Sequence, residues 1–182
     1  MYFSAVCSGA ACAQEIPLYY ALGNHEGESP LYNGYFYLPH SNPDSTEAYY
    51  SFGYGNSHSI SLDSEIPYGA SSPQYQWLVK DLRNSCNKTF VFVFMYQRPH
   101  CAGGHKSNLA LRNALCPLFE DYEVDMIFNG HCHFYQRNGP INGVTHLITV
   151  EGGAPLYTPA ESSWTQYSEE SHHCVHLIVW PD

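Results

Sequence analysis

The chain has 182 residues, enough for one domain with a buried core. Its formal charge is −10, from 17 acidic against 7 basic residues, which argues against a nucleic-acid partner and fits poorly with an anionic membrane surface. No apolar run approaches the roughly 18 residues of a spanning helix, and the N-terminus lacks the basic start and long apolar centre of a secretory signal. An acidic chain can still hold phosphate where a bound cation supplies the local positive charge. Seven cysteines, at 7, 12, 86, 101, 116, 132 and 174, include no Cys-x-x-Cys, so a thiolate zinc knuckle is not expected. The odd number leaves at least one thiol free if the others pair within the chain. Asn87-Lys88-Thr89 is a glycosylation sequon, meaningful only in a eukaryotic secretory setting.

In chain order, residues 1–14 are small and apolar and read as the end of a helix. Ile16 to Leu22 reads as a short buried strand running into Gly23-Asn24-His25-Glu26-Gly27. Residues 28–47, rich in Pro, Asn, Ser and Tyr, read as a surface excursion. Tyr49–Tyr54 and His58–Asp63 form a hairpin around Gly55-Asn56-Ser57. After a loop, Pro73–Asn84 reads as a helix, with Ser72 as cap and Pro73 in the first turn. Its apolar side is Tyr75, Trp77, Leu78 and Leu82. Phe90–Tyr96 is a continuous apolar run, the mark of a strand covered on both faces. A second amphipathic helix spans Ser107–Asp121, and strands follow at Val124–Phe128 and Val144–Val150. Residues 156–170 read as polar loop and Cys174–Trp180 as a final strand. Strands alternating with helices indicate an α/β organisation, whose ligand sites gather at the C-terminal ends of the strands.

Polar groups do gather there. Gly130-His131-Cys132-His133 follows the strand at Val124–Phe128. Two histidines at i and i+2 of an extended segment point to one side, and converging imidazoles suit zinc, iron or manganese. They are also compatible with ordinary loop histidines. Cys132 between them points the other way and reads as core. Asn24 offers a neutral oxygen to a cation, and His25 can protonate a leaving group or hold a phosphate oxygen. Both also suit a simple turn, where Asn is at home.

Five stretches together resemble the calcineurin-like metallophosphoesterases, and within them the purple acid phosphatase branch. They are Gly23-Asn24-His25-Glu26, the helix around Gln74-Tyr75-Gln76-Trp77-Leu78, Phe90–Pro99, Gly130–Arg137, and Gly152-Gly153-Ala154-Pro155-Leu156-Tyr157. The resemblance implies an α/β fold of that type, a β-sheet sandwich flanked by helices and incomplete at the N-terminus. Residues 1–182 would form the central and C-terminal part of one such domain. It implies a two-metal hydrolase of phosphate esters, with iron, zinc or manganese ions ~3.5–4 Å apart. By the family pattern Asn24 and His131 would hold the second metal and His133 the first. His25 would face the phosphate and help the leaving oxygen depart, and His105 resembles a second substrate-facing histidine. The substrate would be a small-molecule or protein phosphate ester, with an extracellular or secretory location favoured.

Three departures from the family pattern stand out. Gln97, or Tyr96 under a one-residue shift, occupies the position of a metal-ligand histidine. Nothing before Gly23 supplies the family's first aspartate, its Gly-Asp segment or its metal-binding tyrosine. The C-terminus falls within what reads as a strand. Asp63, Glu26 and Glu151 are the carboxylates available to substitute. One weakly held cation is therefore the expectation, with sheet surface left uncovered and open to self-association. Two other readings follow: a non-catalytic module that keeps the fold, and a structural single-metal site on His131 and His133. A serine hydrolase is disfavoured, since no Gly-x-Ser-x-Gly occurs.

Overall fold

The computed structural model describes residues 17–26, 30–149 and 153–180. Ten elements run in the order α1 (Pro30–Tyr35), β1 (Tyr50–Tyr54), β2 (Ser57–Leu62), α2 (Pro73–Asn84), β3 (Phe90–Met95), α3 (Leu109–Asp121), β4 (Met126–Asn129), β5 (Tyr135–Ile141), β6 (Val144–Ile148) and β7 (Thr165–Glu169). The strands form one mixed sheet in the order β1-β2-β3-β4-β6-β5-β7. Strands β2, β3, β4 and β6 are mutually parallel, whereas β1, β5 and β7 join antiparallel. The fold is α/β, as the alternation of elements predicted.

Two tight turns fix the hairpins. Gly55, at φ +58, opens the β1–β2 turn, where a residue with a side chain would be strained. Asn142 and Gly143 both have positive φ, the type I′ geometry that joins β5 to β6. Helix α2 starts where expected: Ser72 Oγ accepts a hydrogen bond from the Tyr75 amide, and Pro73 sits in the first turn. Asn108 caps α3 in the same way through the Leu111 amide.

The sheet alternation divides the apolar residues into two layers. Val91, Val93, Met95 and Ile127 face α2 and α3, meeting Leu78, Leu82, Leu111, Leu115 and Phe119 in the main core. Burying a side chain such as Leu78 contributes about 1.5–3 kcal/mol. Phe92, Phe128 and Leu147 point the other way, with Phe94 stacked on Phe128 at 4.7 Å between ring centres. Val175, Leu177 and Val179 lie over this second face.

The structure departs from the sequence expectations at five places. Residues 17–22 are irregular, not a strand. Tyr19 stacks on Phe52 at 4.0 Å, and the Tyr20 carbonyl accepts from the hydroxyls of Tyr50 and Ser61, so side chains hold the segment down without a ladder. The excursion at 28–47 contains α1. Residues 156–170 contain β7, which pairs with the edge of β5. β5 itself was not expected. Residues 174–180 form no strand: their alternating burial comes from lying face-on across Phe92 and Phe128, which produces a period of two without pairing. The expected helix end at 1–14, the start of the strand at Ile16, and Val150, Glu151 and Gly152 lie outside the described residues.

Candidate metal centre

The C-terminal ends of the parallel strands define one edge. β2 delivers Asp63 and Ser64 there, β3 delivers Tyr96 and Gln97, and β4 delivers Gly130 and His131. The irregular segment before α1 reaches the same edge at Gly23. A Cβ built on Gly23 would lie 2.9 Å from the Tyr96 ring, so only glycine lets the two approach. The Gly23 amide donates to Glu26 Oε2 at 2.9 Å, closing the turn that displays Asn24 and His25 to solvent.

His131 is the hub of this edge. Its φ is +69, a left-handed conformation that a histidine adopts only under constraint. Hydrogen bonds from the Gly130 amide to the Tyr96 carbonyl and from the Cys132 amide to the Gly130 carbonyl impose it. Its ring meets His105 at 4.4 Å and the edge of Tyr96 at 5.1 Å. Burial pushes its pKa down to about 4, and the Arg98 charge and the neighbouring imidazoles of His105, His133 and His25 add to the effect. The imidazole is therefore uncharged at neutral pH, and its buried Nδ1 has no hydrogen-bond partner.

His133 is oriented differently. Its Nδ1 lies 2.8 Å from the Pro155 carbonyl, which can only accept, so Nδ1 carries a proton and the neutral tautomer this selects has its lone pair on Nε2. Tyr157 stacks on the ring at 4.4 Å and 8°, locking its plane. This is the arrangement by which a carbonyl sets the tautomer of a metal-binding histidine. His105 also touches Tyr157, at 5.5 Å, and is exposed. Gly103 makes its loop possible: at φ +95 it forms a bridge to Pro159, where a Cβ would strike the Ala160 nitrogen at 2.4 Å.

Gln97 does not face the histidines with a free amide. Its Oε1 accepts from Arg98 Nη1, and its Nε2 donates to Glu65 at 2.8 Å. Tyr96 stands against His131 instead. Arg98 is buried and its Nε has no partner. Its charge beside His131 opposes a cation there. Asn129 anchors the turn by donating to the Gln97 carbonyl at 2.8 Å. Beneath the loops, Cys101 Sγ and Cys132 Sγ lie 2.8 Å apart, and this contact together with burial pushes the Cys101 thiol well above its ordinary pKa. Sequence reading gave no roles to Arg98, Asn129, Tyr157 or Cys101. The Arg-Pro pair directly after an apolar strand, and the tyrosine after Gly-Gly-Ala-Pro, were the available signals.

The structure thus brings His25, His105, His131 and His133 to one edge and leaves Asn24 exposed beside them. Among the described residues, no three histidine, cysteine or carboxylate donors converge here within 4.8 Å. His131 and His133 supply the ring nitrogens of this edge, and Asn24 is exposed in the turn next to His25. The carboxylates nearest this edge are engaged by protein donors: Glu26 by the Gly23 amide, Asp63 by the Glu65 amide and Glu65 by Gln97.

Residues 2–135 match the family model for calcineurin-like phosphoesterases. The chain belongs to that family. It is 35% identical over 137 residues to purple acid phosphatase 21 of Arabidopsis thaliana, covering 65% of this chain and 30% of that protein. It is 25% identical over 187 residues to purple acid phosphatase 15 of the same plant, covering 92% and 34%. A purple acid phosphatase from yellow lupin (Lupinus luteus) seeds superposes with a TM-score of 0.73 at 22% identity, over 85% of this chain and 35% of that one. The chain thus spans about a third of the length of these relatives. The family and its purple acid phosphatase branch are those that the five motifs indicated. Among the described residues no helix is long and apolar enough to cross a membrane.

Proposed function

We propose that the chain carries the histidine-rich part of a metal-dependent phosphate-ester hydrolase site. The observation that supports this most is the hub at His131, which lies in contact with His105 and within electrostatic reach of His25 and His133. His131 Nδ1 and His133 Nε2 are the lone pairs on offer, and Asn24 Oδ1 is the neutral oxygen beside them. A cation bound there would polarise a phosphoryl oxygen and lower the pKa of its water. His105, in contact with His131, and the exposed His25 would be the groups that meet the phosphoryl group. Each can hydrogen-bond a phosphate oxygen, and His25 is the group that would pass a proton to the leaving oxygen. Iron, zinc and manganese suit these nitrogen donors. A second cation needs carboxylate donors, and those near this edge are engaged: Glu26 accepts from the Gly23 amide, Glu65 from Gln97 and Asp63 from the Glu65 amide. The substrate class is a small-molecule or protein phosphate ester.

The test is hydrolysis of an activated aryl phosphate by the chain, stripped of metal and then titrated with zinc, manganese or iron. Turnover that needs metal and is lost in His131→Ala is the expected result. No turnover with any metal overturns the reading.

One observation favours a second reading, a phosphate-binding module without catalysis. The Gln97 amide is already occupied by Arg98 and Glu65, and buried Arg98 supplies positive charge where the family would place a ligand. In that case Gln97→His brings no hydrolysis even with metal supplied; a clear gain sinks it. The family's plant relatives make a secretory location the natural proposal. The exposed sequon at Asn87, in the turn after α2, provides its readout: a glycosidase-sensitive mass shift in a eukaryotic host.

A further inference from the structure

A second cluster of donors lies away from the loop histidines, under the other side of the sheet edge. His100 follows the Arg98-Pro99 turn, Cys116 sits on α3, and His146 sits on β6. One ligand atom from each lies within 4.8 Å of the other two. All three are buried, at 5%, 5% and 2% exposure. His100 Nδ1 and His146 Nδ1 have no hydrogen-bond partner at all. Two orphaned ring nitrogens in one dry place are unusual, because each unpaired buried polar atom costs about 1–3 kcal/mol. The rings meet edge to face at 4.4 Å, so they do not bond each other.

We propose that His100, Cys116 and His146 form a structural metal site for one thiophilic divalent cation of the zinc class. Two imidazoles and a thiolate are donors of the right softness, and tetrahedral zinc needs donor atoms only about 3.3–3.8 Å apart, from bond lengths of about 2.0–2.3 Å. Side-chain rotation of about 1 Å closes the difference. Asn138 supplies an oxygen for a fourth position. It lies directly opposite His146 in the β5–β6 register, its Nδ2 donates to the His100 carbonyl at 3.3 Å, and its own buried Oδ1 has no partner. In the metal-free chain burial, and then Glu120, push the Cys116 thiol up to about 12, so it is the bound cation itself that makes the thiolate. Arg112, one turn before Cys116, works the other way and eases loss of the proton, while the Glu120 carboxylate, one turn after, offsets the charge of a cation. Arg112 also packs over Trp164, which abuts His100, and both line an open cleft of about 600 Å³ that gives an ion its way in. The bound ion would staple the turn after β3 to α3 and β6, and the thiol proton leaves on binding.

This site is independent of the phosphatase reading, and cobalt(II) separates the two. A thiolate ligand gives cobalt a near-ultraviolet charge-transfer band that imidazole and amide ligands alone do not. Titrating the metal-free chain with cobalt should produce this band at one ion per chain. The band should persist in His131→Ala and in Cys132→Ala and disappear in Cys116→Ser. Zinc should raise Tm in wild type and in His131→Ala but not in Cys116→Ser. Should Cys116→Ser fail to fold, His100→Gln carries the test, with cobalt affinity expected to fall at least tenfold. Absence of the band in wild type overturns the proposal, as does a band or affinity unchanged by both substitutions.

Discussion

Two groups of histidines, of which only His100 and His105 are close along the chain, solve opposite problems. His25, His105, His131 and His133 stand on loops at the strand ends, held by contacts that leave them open to a ligand. His100 and His146 are buried between α3 and the sheet, ring against ring. Loops tolerate the unusual backbone that chemistry needs, such as φ +69 at His131. A packed layer tolerates no such freedom but keeps donor atoms in fixed relation at no further entropic cost. An exposed centre can change its ligand; a buried one can only be filled or empty.

The largest effect should come from the layer that seats the buried cluster. Phe119 is fully buried on α3, three residues beyond Cys116. Phe119→Ala should cost about 3–5 kcal/mol in urea denaturation. A cost under about 1 kcal/mol would mean that α3 is not seated as described, and the contrast between the clusters would fail. Next in size is His131→Ala at the open cluster. Metal-dependent aryl phosphate turnover should fall on the order of a hundredfold or more. Global stability should change little, because His131 contributes an orphaned nitrogen and a strained backbone to the fold. Unfolding of this variant would show the hub to be structural.

These two clusters also differ in how far the sequence foretells them. His-x-His after an apolar strand is local, so both rings can be read from five residues. Residues 131–134 form bends, however, with φ +69 at His131, and not the extended segment from which a shared side was expected. Helices α2 and α3 and strand β3 were equally legible, since Phe90–Met95 alternates between two apolar layers and the caps Ser72 and Asn108 are in sequence. The buried cluster comes from a turn, a helix and a strand that only the finished fold brings together. Tyr96 taking the place beside His131, with Gln97 turned to Glu65, depends on a one-residue choice of register that the Gln-Arg-Pro turn leaves open. β7 was hidden because Thr165–Glu169 is a polar edge strand with no apolar alternation. β5 contains Gly139-Pro140 and looks like loop, although Asn142-Gly143 beyond it was a readable hairpin signal.

Acid should reach the buried cluster through its two rings. Burial, reinforced by Arg112, holds His100 at about 4; burial, then His100 and Arg112, holds His146 at about 3. Unfolded histidine takes its proton near pH 6.5, so between these values the unfolded chain binds more protons than the fold. The stability each neutral ring contributes is complete above about pH 6.5 and is lost as pH falls toward 4 and then 3. The slope is at most about 1.4 kcal/mol per pH unit per ring. His131, also held at about 4, acts in the same direction from the open cluster. Melting temperatures of metal-free protein from pH 7 to pH 4 should fall less steeply in His146→Gln than in wild type. Equal slopes would mean that His146 is already protonated or reachable by water.

The smallest effect probes the joint between the two clusters. Asn108 Oδ1 accepts from the Leu111 amide at 3.0 Å, and the Asn108 amide donates to the Arg98 carbonyl at 2.9 Å. One residue thus starts the helix that carries Cys116 and ties it to the turn beside His131. Asn108→Ala removes the side-chain cap and keeps the backbone tie, so it should cost about 1 kcal/mol in denaturation. Because the tie to Arg98 survives, aryl phosphate turnover should stay within about twofold, while any loosening of α3 appears as weaker cobalt binding at Cys116. A tenfold fall in turnover would reverse that assignment. It would mean that the cap, through Arg98, sets the position of the open cluster, and that the two groups of histidines are mechanically one.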